Sequence, residues 1–269
     1  MNSNTFFSDS IRQLFNNEGI VKIPFLNEIE IASLIETYKS TSQDISEGKF
    51  HSTMFINNVG YRKQTDATIR KIILTKTNNI LNSHKLLFAN FIVKEPSVET
   101  GVGIHQDWSF TSPEYTSVNI WIPLVDVNEQ TGLFYALKGS QRLFTNIRYT
   151  PYENDRYKEI ENFTLTNSSP FKIKAGDALI YHGALIHYSA PNISNKIRIA
   201  VGGAIIPSEA PNLHYYKRDA NKSELEVYEV NEEFYHSFDF FDEPKGVRKL
   251  SIIKLQDGIP SIEELTSLW

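Results

Sequence analysis

From Leu86 to Ile206 the chain is a succession of short apolar runs, each cut off by turn-forming residues. Leu87–Val93 is closed by Lys94-Glu95-Pro96, and Ser117–Val125 runs into the turn chemistry of Asn128–Gly132. Leu133–Leu137 stops at Lys138-Gly139-Ser140. Phe171–Lys174 turns at Ala175-Gly176-Asp177, and Ala178–Tyr181, Ile186–Ser189 and Lys196–Ile206 follow. Many short strands punctuated by glycine, proline and asparagine predict a mainly β chain, a double-sheet jelly roll rather than a βαβ fold.

The stretch before Leu86 is richer in helix. Ser8–Asn16 has helical spacing through Ile11, Leu14 and Phe15, and Gly19–Pro24 reads as a strand. Asn27 followed by Glu30 is a capping-box variant that opens a helix through Tyr38. Ser40–Lys49 reads as a loop, Phe50–Ile56 as a strand and Asp66–Leu81 as a second helix with Ile69, Ile72, Ile73 and Ile80 on one face. These helices are expected to pack on one outer face of the roll. Asn146–Ser169 is long and polar, the pattern of a lid or binding loop crossing a site. After Pro207 the chain reads as polar and irregular, and the aromatic patch Phe234–Phe241 as packing. With 269 residues, one domain over 1–269 is expected: a helix-rich N-terminal region over residues 1–85, a jelly-roll core 86–206 and an extension 207–269.

Composition narrows the chemistry. The chain has no cysteine, which removes disulfides, zinc–thiolate sites and cysteine-ligated clusters, so any metal must be held by nitrogen and oxygen. A reducing, cytoplasmic setting is compatible with that. A net charge of −5 with no basic run argues against nucleic acid as a partner. No secretory leader is read at the start, and no apolar run reaches the roughly eighteen residues of a membrane span.

The chemistry concentrates at His105-Gln106-Asp107. In an extended segment residues i and i+2 point to the same side, so His105 and Asp107 can reach one ion while Gln106 points away. A His-x-Asp pair with a distant histidine is the ligand set of a mononuclear non-haem Fe(II) site, with the opposite face of the metal left open. Two histidines compete for the third position, His182 and His187.

In order, the chain carries His105-Gln106-Asp107, then Ser117–Leu124 with Trp121 and Pro123, then Thr131-Gly132-Leu133, Gly139-Ser140-Gln141, Gly176-Asp177, His187-Tyr188-Ser189 and Arg198. This string resembles the phytanoyl-CoA dioxygenase family of Fe(II)/2-oxoglutarate oxygenases. The resemblance spans Phe91–Ile205, with the opening Gly19–Leu34 also similar. Two turns depart from the family pattern: Thr131-Gly132 stands for Asn-Gly, and Gln141 for a histidine. The resemblance implies His105, Asp107 and His187 as metal ligands, since His187 precedes Ser189 and stands eleven residues before Arg198. His182 is then left to packing or to a supporting hydrogen bond.

The same resemblance implies Arg198 for the distal carboxylate of 2-oxoglutarate, with Ser189 beside it and Asn90 and Trp121 lining the pocket. A guanidinium offers a planar fork for a carboxylate and stays charged when buried. Asn119 shares a strand face with Trp121 and joins this co-substrate set. Lys94, Tyr61, Arg62 and Arg142 are candidates for gripping the substrate. The implied cofactor is Fe(II), the co-substrates 2-oxoglutarate and O2, and the co-products succinate and CO2. Related halogenases replace the carboxylate ligand with a small residue, so Asp107 argues for hydroxylation, desaturation or cyclisation. The implied substrate is a small molecule: an amino acid, a peptide or a natural-product intermediate. Two alternatives stand beside this reading, a silent jelly-roll ligand-binding protein and a cupin-like metalloenzyme that does not use 2-oxoglutarate.

Overall fold

Ser8 starts the first helix: its hydroxyl accepts a hydrogen bond from the Ile11 amide, and Gly19 ends the helix in the left-handed conformation. The computed structural model describes residues 5–41, 49–144, 146–151, 154–239, 241–255 and 258–268. The N-terminal elements are helix α1 (Asp9–Glu18), strand β1 (Ile20–Pro24), α2 (Glu28–Thr41), β2 (Phe50–Ser52), α3 (Val59–Thr77) and β3 (His84–Lys94). Then come β4 (Val102–His105), β5 (Val118–Pro123), β6 (Phe134–Ala136), α4 (Glu161–Asn167), β7 (Ser169–Phe171), β8 (Asp177–His182), β9 (His187–Ser189) and β10 (Arg198–Pro207). The chain continues with β11 (Leu213–Tyr216), β12 (Glu224–Glu229), α5 (Phe234–Ser237), β13 (Arg248–Lys254) and α6 (Ile262–Thr266).

Two antiparallel sheets form the roll. The larger has the order β1-β8-β5-β10-β3-β2 and the smaller β4-β9-β6-β7. Alternation along the larger sheet divides its residues between two cores. Val118, Ile120 and Ile122, with Phe91, Val93, Ile180 and Val201, pack outward against Phe15, Leu34, Ile69 and Ile73 of the three N-terminal helices. The intervening residues, Trp121, Leu179, Tyr181 and Ala200, face Phe134 and Ala136 of the smaller sheet. Both faces are therefore covered, which is why the strands read as near-continuous apolar runs. Asp66 ties α3 to this sheet: its carboxylate accepts from the Ala89 amide at 2.6 Å and from Arg70 Nε at 2.7 Å.

Several expected boundaries move. Asn27 and Glu30 form the expected reciprocal cap, at 2.8 and 2.9 Å. Helix α2 runs to Thr41, and most of the expected 40–49 loop lies outside the described residues. The strand expected over Phe50–Ile56 ends at Ser52 because the Ser52 hydroxyl caps a short 3-10 turn over Thr53–Phe55. Helix α3 begins seven residues earlier than expected, where Asn58 caps it. The strand expected from Phe171 shifts to Ser169–Phe171, and Ile173 instead bridges Val127.

The segment after Pro207 is not irregular. Strands β11, β12 and β13 form a third antiparallel sheet. The alternation Glu-Leu-Glu-Val in β12 points Leu225 and Val227 into a cluster with Leu213, Tyr215 and Tyr149. Phe234, Tyr235 and Phe238 pack with Phe88 and Phe110 under the large sheet, so this portion of the aromatic patch is core, as expected.

Candidate functional site

Strand pairing builds the site. Strands β4 and β9 are antiparallel, and their register sets His105 directly opposite His187. Their rings lie with centroids 4.2 Å apart. Each ring donates its Nδ1 hydrogen to a carbonyl two residues back, His105 to Gly103 at 2.7 Å and His187 to Leu185 at 2.9 Å. Those bonds fix the tautomer and leave both Nε2 lone pairs free to point at one place. Asp107 lies 3.8 Å from each Nε2, through Oδ1 to His105 and Oδ2 to His187. One ligand atom from each of the three lies within 4.8 Å of the others. Burial is the main cause lowering both imidazole pKa values, His105 well below the ordinary histidine range, so both rings are neutral donors at pH 7. Two neutral imidazoles and a carboxylate fit a divalent iron with an open face.

Two residues orient Asp107. Asn119 Nδ2 donates to its Oδ2 at 2.8 Å, and Tyr181 also hydrogen-bonds to it. The two face each other across the β5–β8 pair. Burial and the neighbouring carboxylate hold the Tyr181 phenol well above its usual range, so it remains a donor.

Gln106 points away from the triad, as its position between two ligands requires. Its Nε2 donates to the Ala184 carbonyl at 3.2 Å, and its Oε1 accepts from the Tyr157 hydroxyl at 2.9 Å. Arg148 donates to the Gln106 backbone carbonyl. The polar stretch Asn146–Ser169 thus reaches the cavity with Arg148, Tyr157, Lys158 and Glu161 on its wall. Arg148 and Tyr157 carry no local sequence signal: their roles arise from contacts 42 and 51 residues away in sequence.

The cavity is about 680 Å³, and the triad, Asn90, Asn119, Trp121, Ser189 and Arg198 all line it. Arg198 is 2% exposed. Its NH1 donates to the Gly132 carbonyl at 2.7 Å, and its guanidinium carbon sits 5.3 Å from the Trp121 ring centre. Its Nε is buried without a partner, and among the described residues no carboxylate lies within ion-pairing distance. Burial pulls its pKa down to about 9, so it remains a cation at neutral pH. A buried cation with spare donors fits one carboxylate of a dicarboxylic acid. Gly132 takes a positive φ of 92° to bring its carbonyl there, and a Cβ would stand 2.4 Å from the Ala190 carbonyl oxygen.

The co-substrate candidates differ in what they hold. Ser189 Oγ accepts from Lys94 Nζ at 2.7 Å. Asn90 lies across from Gly202 and donates to Ser52 Oγ at 2.6 Å. Asn119 spends an amide hydrogen on Asp107, so it steadies a ligand from a place on the cavity wall.

The four substrate candidates do not line this cavity. Lys94 is 0% exposed and sits opposite Arg198 in the β3–β10 register, donating to Ser189 and Ala190 behind the wall. Burial, then the charge of Arg198, pulls it down to about 6. Arg62 joins α3 to the C-terminal segment through the carbonyls of Met54 and Phe238. Tyr61 is buried in α3 away from the cavity lining. Arg142 donates to the carbonyls of Gly139 and Leu268, outside the cavity. A charged or phenolic residue in a sequence gives no sign of which backbone carbonyls it will satisfy.

His182 is separated from His187 by the same alternation. Tyr181 faces the cavity, so His182 faces away, accepts from the Ala184 amide at 3.0 Å and packs near Phe15. Desolvation pulls it down to about 4. The two departures from the family pattern are also absorbed. Thr131 Oγ1 accepts from the Asn128 amide and donates to the Asp126 carbonyl, closing the turn, and Gln141 donates to the Asn16 carbonyl at the end of α1.

Comparison with known proteins bears on the family and the fold. "Phytanoyl-CoA dioxygenase 1" of Oryza sativa subsp. japonica is 30% identical over 122 residues, 44% of this chain and 43% of that protein. The chain's match thus spans less than half of that relative's length. "Dioxygenase olcK" of Penicillium canescens is 25% identical over 217 residues, 71% of this chain and 67% of that one. Among solved structures, EvdO2 of Micromonospora carbonacea var. aurantiaca complexed with 2-oxoglutarate has a TM-score of 0.55 at 19% identity, covering 77% of this chain and 94% of that one. HygX of Streptomyces hygroscopicus with nickel, 2-oxoglutarate and hygromycin B has a TM-score of 0.53 at 14% identity, covering 76% and 88%. These likenesses establish the jelly-roll fold. Among the described residues no helix is long and apolar enough to cross a membrane. The family model for phytanoyl-CoA dioxygenase (PhyH) matches residues 25–200, a span that contains the triad and most of both sheets, and the chain belongs to that family.

Proposed function

We propose that this chain is an Fe(II)- and 2-oxoglutarate-dependent oxygenase that hydroxylates a C–H bond of a small molecule, with succinate and CO2 as co-products. The observation that carries the reading is one cavity holding both a convergent His-Asp-His set and a buried arginine with no acidic partner among the described residues. His105, Asp107 and His187 would hold the metal, and Arg198 with Ser189 and Trp121 would hold the co-substrate. Iron with 2-oxoglutarate and O2 supplies the oxidising chemistry that side chains lack.

The chain's own contribution is positioning and charge. Neutral imidazoles need no proton release to bind a cation. Asn119 and Tyr181 both hydrogen-bond to Asp107 and so orient it. Arg198 gives the co-substrate a fixed, oriented charge in a desolvated place, where it acts more strongly than in water. With Asp107 among the residues that would hold the metal, no place would be left for a halide, which favours hydroxylation over halogenation. One domain over 1–269 belongs to the same proposal: β1 and β2, from the helix-rich region, are edge strands of the large sheet.

Succinate release with Fe(II), ascorbate and 2-oxoglutarate tests the reading. Wild type is expected to turn over, slowly without substrate, and Asp107→Ala and Arg198→Ala to lose turnover. Unchanged turnover in both variants would overturn the assignment.

A further inference from the structure

Besides the triad and Arg198, the cavity wall carries a group of large apolar side chains. Phe55, Trp108, Phe88, Phe110 and Met54 line it. Trp108 directly follows the ligand Asp107, so this wall starts one residue from the metal site. The rings brace one another: Phe55 meets Trp108 edge-on at 5.7 Å and 82°, and Phe88 meets Phe110 at 5.1 Å and 74°. From the C-terminal segment Phe241 closes on both Phe55, at 5.9 Å, and Trp108, at 6.4 Å. Braced rings keep fixed orientations. Yet Phe55 remains 40% exposed and Phe241 50% exposed. Partly exposed apolar rings at a cavity offer a surface suited to an apolar ligand.

Charge on the wall narrows the ligand further. Among the described lining residues Lys158 is the one exposed cation, since Arg148 is 8% and Arg198 2% exposed. A coenzyme A thioester, with several phosphate groups, would need a cluster of exposed cations. Apart from Asp107, the one carboxylate on the described wall is Glu161, and it is exposed. A free amino acid would need a sheltered carboxylate for its ammonium group. The volume of about 680 Å³ lies in the range that encloses a drug-sized molecule.

We infer that the substrate is an apolar, ring-bearing small molecule, aromatic or fused-ring, whose body lies on the Phe55–Trp108 wall that Phe241 braces from beside the cavity. This rests on the oxygenase reading for the word substrate, but the binding it describes does not depend on turnover.

The test is direct binding to the full chain, by calorimetry, of three probes: 2-naphthol, L-leucine and octanoyl-CoA. 2-Naphthol is expected to bind at least about tenfold more tightly than either of the others. Phe55→Ala and Phe241→Ala, both at exposed rings, are each expected to weaken it by about three- to tenfold. Circular dichroism on both variants separates lost binding from lost folding, and the two independent positions guard against failure of one. Tighter binding of L-leucine or octanoyl-CoA, or naphthol binding that both folded variants leave unchanged, would overturn the inference. Succinate release is measured on the same samples. Probe binding as expected without any 2-oxoglutarate turnover would sink the oxygenase reading and keep the apolar site. Turnover without ring binding would do the reverse.

Discussion

Arg198→Met separates a co-substrate arginine from a structural one. In the ligand-free protein Arg198 is almost fully buried, and its pKa falls from the ordinary guanidinium range to about 9 because burial penalises the charged form. At about 1.4 kcal/mol per tenfold, that is a penalty of order 5 kcal/mol carried by the free protein. Against it stand one hydrogen bond to the Gly132 carbonyl and one stacking contact with Trp121. Together these are worth roughly 2–4 kcal/mol, counting the cost of leaving a buried carbonyl bare. Methionine of similar reach relieves the desolvation penalty and loses those two weaker contacts. The ligand-free variant is therefore expected to be as stable as wild type or up to a few kcal/mol more stable. The response to 2-oxoglutarate should go the other way. At 100 times its dissociation constant a ligand stabilises by about 2.7 kcal/mol. Loss of two charge-assisted hydrogen bonds weakens binding by about 100-fold, leaving roughly 0.4 kcal/mol at the same concentration. For a chain of this size the shift in Tm falls from about 5–10 °C to about 1 °C. Thermal unfolding with and without 2-oxoglutarate, at one fixed Co(II) concentration, reads both effects. A variant that loses several kcal/mol without ligand yet keeps the full 2-oxoglutarate shift would refute the reasoning.

Lys94 predicts a pH dependence of the ligand-free protein. Burial and the neighbouring charge of Arg198 lower it from 10.5 to about 6, so its contribution to stability is full above the unfolded value and is lost as pH falls through about 6. Within that window wild type should lose about 1.4 kcal/mol per pH unit that Lys94→Met does not, and an equal change in stability for both proteins between about pH 8.5 and 7, measured by urea unfolding, would count against it. Asn119→Leu removes the amide that holds Asp107 at 2.8 Å, and Co(II) affinity measured against a competing chelator should fall about 10- to 100-fold. An unchanged affinity would mean that Tyr181 alone sets the carboxylate. Tyr157→Phe deletes the hydroxyl that binds Gln106 at 2.9 Å. Proteolysis within 146–167 should quicken about fivefold, the equivalent of about 1 kcal/mol, and an unaltered cleavage rate would show that other contacts secure the segment.

Much of the site was legible because alternation along a strand is a local rule with distant consequences. Once Ser117–Val125 reads as a strand, Asn119 and Trp121 must share a face, and both line the cavity. His105 and Asp107 share a side for the same reason. The choice between His182 and His187 needed more, since each lies in or beside a short strand. What decides it is register: β9 sets His187 opposite His105, whereas His182 alternates away behind Tyr181. Other residues were not legible, because their surroundings are set by pairings distant in sequence. Lys94 reads as a candidate for gripping the substrate, but β10 pairs beside it and it is buried, donating to Ser189. Arg148 and Tyr157 sit in a stretch without periodicity, and the partner that gives both a role, Gln106, is defined only by pointing away from the metal. That residue now carries a consequence of its own. A side chain excluded from the triad by strand geometry is available to anchor whatever covers the triad, so the excursion that lines the outer cavity is tied to the segment that bears two of the three ligands.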